Sequence, residues 1–230
     1  MCFSATASFT AGGIIASIGW AAILKNQEPS KRLFATIPMV FGIQQVSEGF
    51  VWLALQSPGH DPVLRVATYI FLTMALVVWP TMTPLSVLLM ERSKKRRGAL
   101  HVLLAVGIIG SLGYGIGLLT LGVTAQIGSY HILYIIDCPE QLKSAALIVY
   151  VIATILPPVV SSIRRMYVFG ILVVLAYFVA WISFRGDFIS VWCFFAALAS
   201  MVVYRIVIDS NNVDIGLHRD VLLITQQNWN

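Results

Sequence analysis

Long apolar runs separated by short polar connections dominate this chain. A run of about 20 apolar residues is long enough to cross the hydrocarbon core of a bilayer as a helix. Seven such runs occur, at about 7–24, 33–55, 64–90, 99–121, 144–162, 166–184 and 188–208. The third is long and carries Pro80 and Pro84, which predict a kink or tilt there, with a neighbouring helix re-satisfying the freed carbonyls. The fifth is the shortest and ends at Pro157-Pro158. The pattern predicts an all-α seven-helix membrane domain over 1–208 and a C-terminal tail over 209–230. In that tail Leu217, Val221, Leu222 and Ile224 can form a short amphipathic stretch on the membrane face.

The longest connection, about 122–143, breaks the helical pattern. Gln126-Ile127-Gly128-Ser129-Tyr130-His131-Ile132 reads as two short strands around Gly-Ser, a β-hairpin signal. A connection of this length in a tight bundle is usually functional or a lid. Folded back over the helix ends, it would bring His131, Asp137 or Cys138 over the interior of the bundle. The shorter Gln56–Pro62 connection is a turn by composition, and its His60 and Asp61 are expected to be solvated.

Composition sharpens the class. The chain is 58% hydrophobic and 11% charged, with a mean hydropathy of +0.85; soluble domains run near 45–50% and 25%. The net charge of +5 does not indicate nucleic acid, because the basic residues cluster between apolar runs. Twelve of the fifteen Lys and Arg fall in alternate connections and the C-terminal end, among them Arg92, Lys94, Lys95, Arg96 and Arg97. Only Arg65, Lys143 and Arg185 fall on the other side. The positive-inside rule then puts the N-terminus outside and the C-terminus in the cytoplasm, in what is expected to be a bacterial inner membrane. The first run has no basic segment before it and no cleavage site after it, so it reads as an anchor.

Small residues mark helix crossings. Gly12-Gly13 and Ala16 in the first run, and Gly113 and Gly117 in the fourth, predict close backbone approach. The fourth-run pair could also serve a homo-oligomer contact. Met74 and Met82 read as core filling. Trp20 fits an interfacial anchor.

The candidate chemistry centres on Gln44-Gln45-Val46-Ser47-Glu48-Gly49 in the second run. Glu48 is the one acidic residue of ten deep inside a spanning run, and an intramembrane carboxylate is costly enough to mark a functional site by default. Gln44 and Glu48 are four apart, Gln45 flanks them and Trp52 continues the row, so one helical stripe carries all of them. That stripe should face the bundle interior. Cys2, Cys138 and Cys193, with His60, Asp61, His131, Asp137 and Glu140, all fall in the outer half. Cys, His and carboxylate are zinc and copper ligand types. No metal-binding spacing is present, so a metal site would have to be assembled from separate helix ends.

The candidate set is therefore Glu48 as ligand or general base, Gln44, Gln45, Ser47, Trp52 and Tyr130 around a pocket, and Cys2, Glu48, His131 and Cys138 as metal ligands. A Cys2–Cys138 disulfide is the competing use of those two sulfurs. Three functions follow. One is an outward-facing site for a metal ion or small ligand, in a binding protein or metal-dependent membrane enzyme. Another is a proton- or cation-coupled transporter using Glu48. The last is a non-catalytic scaffold or sensor. A retinal protein is excluded, since the seventh run has no Lys, and no phosphate-binding glycine loop is present.

The opening Met1-Cys2-Phe3-Ser4-Ala5, with the Gln-x-x-x-Glu-Gly pattern of Gln44, Glu48 and Gly49, resembles a family of small bacterial multi-pass membrane proteins with no assigned activity. The resemblance implies the membrane class and adds no chemistry.

Overall fold

The computed structural model describes residues 4–57, 59–128, 131–183 and 189–208. Cys2, Tyr130, the Arg185–Asp187 turn and the 209–230 tail lie outside the described residues. The described chain is helical apart from one hairpin. Helix α1 spans Ala5–Lys25, and a single helical turn, α2, spans Arg32–Ala35 ahead of α3 at Ile37–Gln56. Helices α4 (Asp61–Leu72) and α5 (Trp79–Met90) are joined end to end by a π-helical segment, Thr73–Val78. Then come α6 (Lys94–Thr120), strands β1 (Val123–Ile127) and β2 (Ile132–Ile136), α7 (Glu140–Val160) and α8 (Met166–Ser183). The last, α9, starts at Ile189 and runs on to Ile208.

Among the described residues, five helices are long and apolar enough to cross a membrane: Ala5–Lys25, Asp61–Met90, Lys94–Thr120, Glu140–Val160 and Ile189–Ile208. Helix α3 falls outside this set although it has 20 residues. The cause is its own polar stripe, since Gln44, Gln45, Ser47 and Glu48 lower its hydropathy. It is also heavily covered, with 12 of its 20 residues buried. Wrapping by other helices is what lets so polar a segment stand in the bundle.

Local signals account for the ends. Ser4 caps α1 by accepting the Ala7 N–H at 3.2 Å, which satisfies one orphan donor of the first turn. Pro38 and Pro62 sit in the first turns of α3 and α4, where a missing N–H costs nothing. Gly59 takes φ +85° in the α3–α4 turn, a left-handed conformation that glycine adopts without strain.

Helices α1 and α3 pack antiparallel and very close. A Cβ placed on Gly12 would meet Val46, one on Gly42 would meet Ala16, one on Gly49 the Phe9 ring, and one on Gly19 the Met39 backbone. Gly13, in contrast, faces open space. The fourth-run expectation needs correction. Gly113 has nothing near it, and Gly117 meets only Leu121 just beyond the end of its own helix. The close crossing belongs instead to Gly107, set against the Pro80 carbonyl of α5, and to Gly110, set against Val149 of α7.

A change of helical pitch precedes Pro80. Trp79 N–H bonds to Met74 O, five residues back, as in a π-bulge. Neighbours take up nearby carbonyls: Ser111 Oγ donates to Val77 O at 2.7 Å, and the Tyr150 hydroxyl donates to Ala75 O at 2.7 Å. Met82 lies in the core, and Trp20 is exposed.

The hairpin is antiparallel, with Val123 opposite Ile136 and Ile127 opposite Ile132. Gly128 N–H closes it on His131 O at 2.8 Å. Its inner face buries Ile132 and Tyr134, and Tyr134 stacks on Phe71 of α4 with ring centroids 4.7 Å apart. It also packs on α3 and α9. The connection does fold back onto the helices.

Candidate functional site

Glu48 sits on the buried face of α3, fully shielded from solvent. Ser190, near the start of α9, donates its hydroxyl to Glu48 Oε1 at 2.5 Å. One turn away, Gln44 Oε1 accepts the indole N–H of Trp79 at 2.8 Å. The Cys193 thiol of α9 lies against Gln44 and within the field of Glu48. The stripe therefore ties α3 to α5 and to α9.

Gln45 differs from its neighbours. It is completely buried, and neither its amide nitrogen nor its amide oxygen has a hydrogen-bond partner among the described residues. The same holds for Trp52 Nε1, Thr68 Oγ1 on α4 and Ser8 Oγ on α1. Each orphan of this kind costs about 1–3 kcal/mol. Orphans of both donor and acceptor type around one stretch of α3 describe an interior built to meet something polar. Ser47 is not part of it, because its hydroxyl bonds back to Gln44 O at 2.7 Å.

Just below, toward Phe41, lies a cavity of about 30 Å³. Phe41, Trp79, Tyr150, Phe169 and Trp192 surround it, together with Thr83, Thr154 and Cys193. Phe41 and Trp79 stack at 3.9 Å, and Trp192 meets both Tyr150 and Tyr177 edge-on. The flanking α5 and α7 both carry internal prolines, Pro84 and Pro157-Pro158.

The other sequence candidates are scattered. His131 is buried at the turn end of the hairpin, whereas Cys138 is half-buried beyond the far end of β2. About 17 Å of extended strand separates them at 3.3 Å per residue. Among the described residues no three His, Cys, Asp or Glu side chains come close enough to hold a metal ion. Cys138 is a free thiol, and Cys2, its candidate disulfide partner, lies outside the described residues. His60 and Asp61 are exposed, as expected of that turn.

Sequence reasoning missed two partners. Ser190 and Trp79 stand in apolar runs with no local pattern that assigns them to Glu48 or Gln44. It also missed a second buried carboxylate. Glu91 begins the basic connection after α5 and reads as solvated, yet it is 2% exposed. Ser162 Oγ and N–H donate to it at 2.5 and 2.7 Å, Ser93 N–H at 2.9 Å and Ser161 Oγ at 3.3 Å. Burial pushes its carboxyl up, but these donors outweigh burial and hold it below the ordinary carboxylate value. Glu91 thus clasps the α5–α6 turn to the α7–α8 turn.

Among the described residues, five helices long and apolar enough to cross a membrane, together with a buried polar stripe, point to a helical membrane protein. Within that class, the chain belongs to DUF6629, a family of unknown function whose model matches residues 1–215. No curated protein matches it.

Proposed function

We propose that this chain is a proton- or cation-coupled transporter, with Glu48 as the group that takes up the proton or small cation. It would cross the bilayer seven times, α3 and α8 included, with the N-terminus outside. The count of twelve basic residues against three supports that orientation. The observation that carries the function is the orphaned Gln45 amide beside Glu48, which provides donor and acceptor capacity in a dry interior. The neighbouring cavity of about 30 Å³ favours a proton, water or bare monovalent ion over a metabolite, since about 10–15 Å³ of such space holds one water.

The hairpin covers the outer side and the Glu91 clasp holds the cytoplasmic turns, as an occluded state of a transporter requires. The π-helical segment and the prolines of α5 and α7 supply the broken helices at which such proteins bind and move. A zinc or copper site from Cys2, His131 and Cys138 is the weaker reading, because His131 and Cys138 lie at opposite ends of one strand.

Reconstituted vesicles loaded with a pH-sensitive dye test this. Under an inward proton gradient with a fixed potential, wild-type vesicles acidify faster than empty ones, and Glu48→Gln returns the rate to that of empty vesicles. Equal proton, sodium and potassium flux in wild-type, Glu48→Gln and empty vesicles would overturn the reading.

A further inference from the structure

The cavity below Gln44 is lined mainly by hydroxyl oxygens and aromatic rings. The Tyr150 hydroxyl gives its proton to Ala75 O at 2.7 Å, and the Thr154 hydroxyl gives its proton to Tyr150 O at 2.8 Å. Both oxygens retain only lone pairs for anything else. Of the two indole N–H donors in the wall, that of Trp79 is already held by Gln44 Oε1 and that of Trp192 is buried. Thr83 adds a third hydroxyl, and no Lys or Arg lines the space. Phe41, Trp79, Tyr150, Phe169 and Trp192 supply aromatic rings, whose faces are electron-rich. The carboxyl of Glu48 acts on Cys193 in the wall.

From this lining we infer that the aromatic cavity is a second site, one that takes a bare monovalent cation of ammonium size. Acceptor oxygens and ring faces together make a cation site of the cation–π type. The volume of about 30 Å³ suits a bare ion, since about 10–15 Å³ of such space holds one water. Ammonium, with four N–H donors, matches a wall that offers acceptors; potassium is of similar size. Sodium and lithium are too small to span the wall. The site goes beyond the proposed function by adding a second stop and an ion class, and it does not depend on proton flux through Glu48.

The titratable groups nearest the cavity and Glu48, on the elements packed around them, are Cys193 on α9, Tyr150 on α7, Tyr177 on α8, Tyr114 on α6, and His131 and Tyr134 on the hairpin. The experiment is therefore run at one fixed pH. Purified full-length protein is titrated with ammonium, potassium, sodium or lithium chloride at constant ionic strength, reading tryptophan emission and the thermal midpoint. Trp79 and Trp192 in the wall make emission a direct report. The expected result is a saturable change in both readouts with ammonium or potassium and not with sodium or lithium. Thr154→Val, which keeps shape and removes the oxygen, weakens the apparent affinity about tenfold, while Thr154→Ser retains it. Identical responses to all four salts would overturn the inference, as would an ammonium response undiminished in Thr154→Val and in Tyr150→Phe. Loss of proton flux in Glu48→Gln vesicles is scored separately, so failure of one site is distinguishable from failure of the other.

Discussion

Gln45 is the residue at which stability and function are expected to pull apart. Its amide is buried and unpartnered, so replacing it with an apolar side chain of similar size removes an unmet desolvation cost of about 1–3 kcal/mol. Gln45→Leu should therefore raise resistance to denaturant in detergent by about 1 kcal/mol while slowing Glu48-dependent flux. A loss of stability of that size would mean that the amide is structurally satisfied and would remove the main support for a polar site. Trp79 predicts the opposite pattern. Its indole N–H holds Gln44 Oε1 at 2.8 Å, so Trp79→Phe should cost about 1–2 kcal/mol in the same assay by orphaning a buried acceptor.

Among the elements, the informative contrast lies along α6. A side chain at Gly107 would run into the Pro80 carbonyl, which is backbone and cannot rotate away, whereas Gly113 faces open space. Gly107→Ala should destabilise by about 1–3 kcal/mol, the usual range for overpacking, and Gly113→Ala should be neutral or slightly stabilising in the helix. Detergent-denaturation midpoints of the two variants decide it. The pair also shows how much of this fold was legible beforehand. Helices occupy the apolar runs because hydropathy and length alone dictate them, and the Gly128 hairpin is encoded by local turn chemistry. The Gln44–Glu48 stripe was readable from spacing. Which glycine of α6 touches a neighbour depends on the helix's rotation, and a helix rich in small and apolar residues on all sides does not advertise that. Ser190 as the partner of Glu48 was hidden for a related reason: a serine in an apolar run has no local feature that names a carboxylate on another helix. Glu91 was misread because a charged residue between lysines and arginines is usually solvated, and only the distant Ser161-Ser162 pair makes it otherwise.

For the molecule as a whole, Glu91 joins the turn after α5 to the turn after α7 across 71 positions of sequence. Its carboxyl is held below the ordinary value in the folded state, so its contribution is fully present above the unfolded carboxylate value of about 4.3. That contribution is lost as pH falls through the lower folded value. Glu91→Gln should lower stability at pH 7 by about 2 kcal/mol, the scale of hydrogen bonds to a charged group. It should also flatten the loss of stability between about pH 5 and pH 3, measured as unfolding midpoints across that range. An unchanged acid limb would show that other carboxylates govern it.

The Ser190–Glu48 bond sets an order on assembly. The two residues are 142 positions apart, and ribosomes add about 5–20 residues per second. Helix α3 is therefore made on the order of ten seconds before its hydroxyl donor exists. During that interval the carboxyl is accompanied by α1, already zipped against α3 through Gly12, Ala16 and Gly42, and by the glutamines of its own stripe.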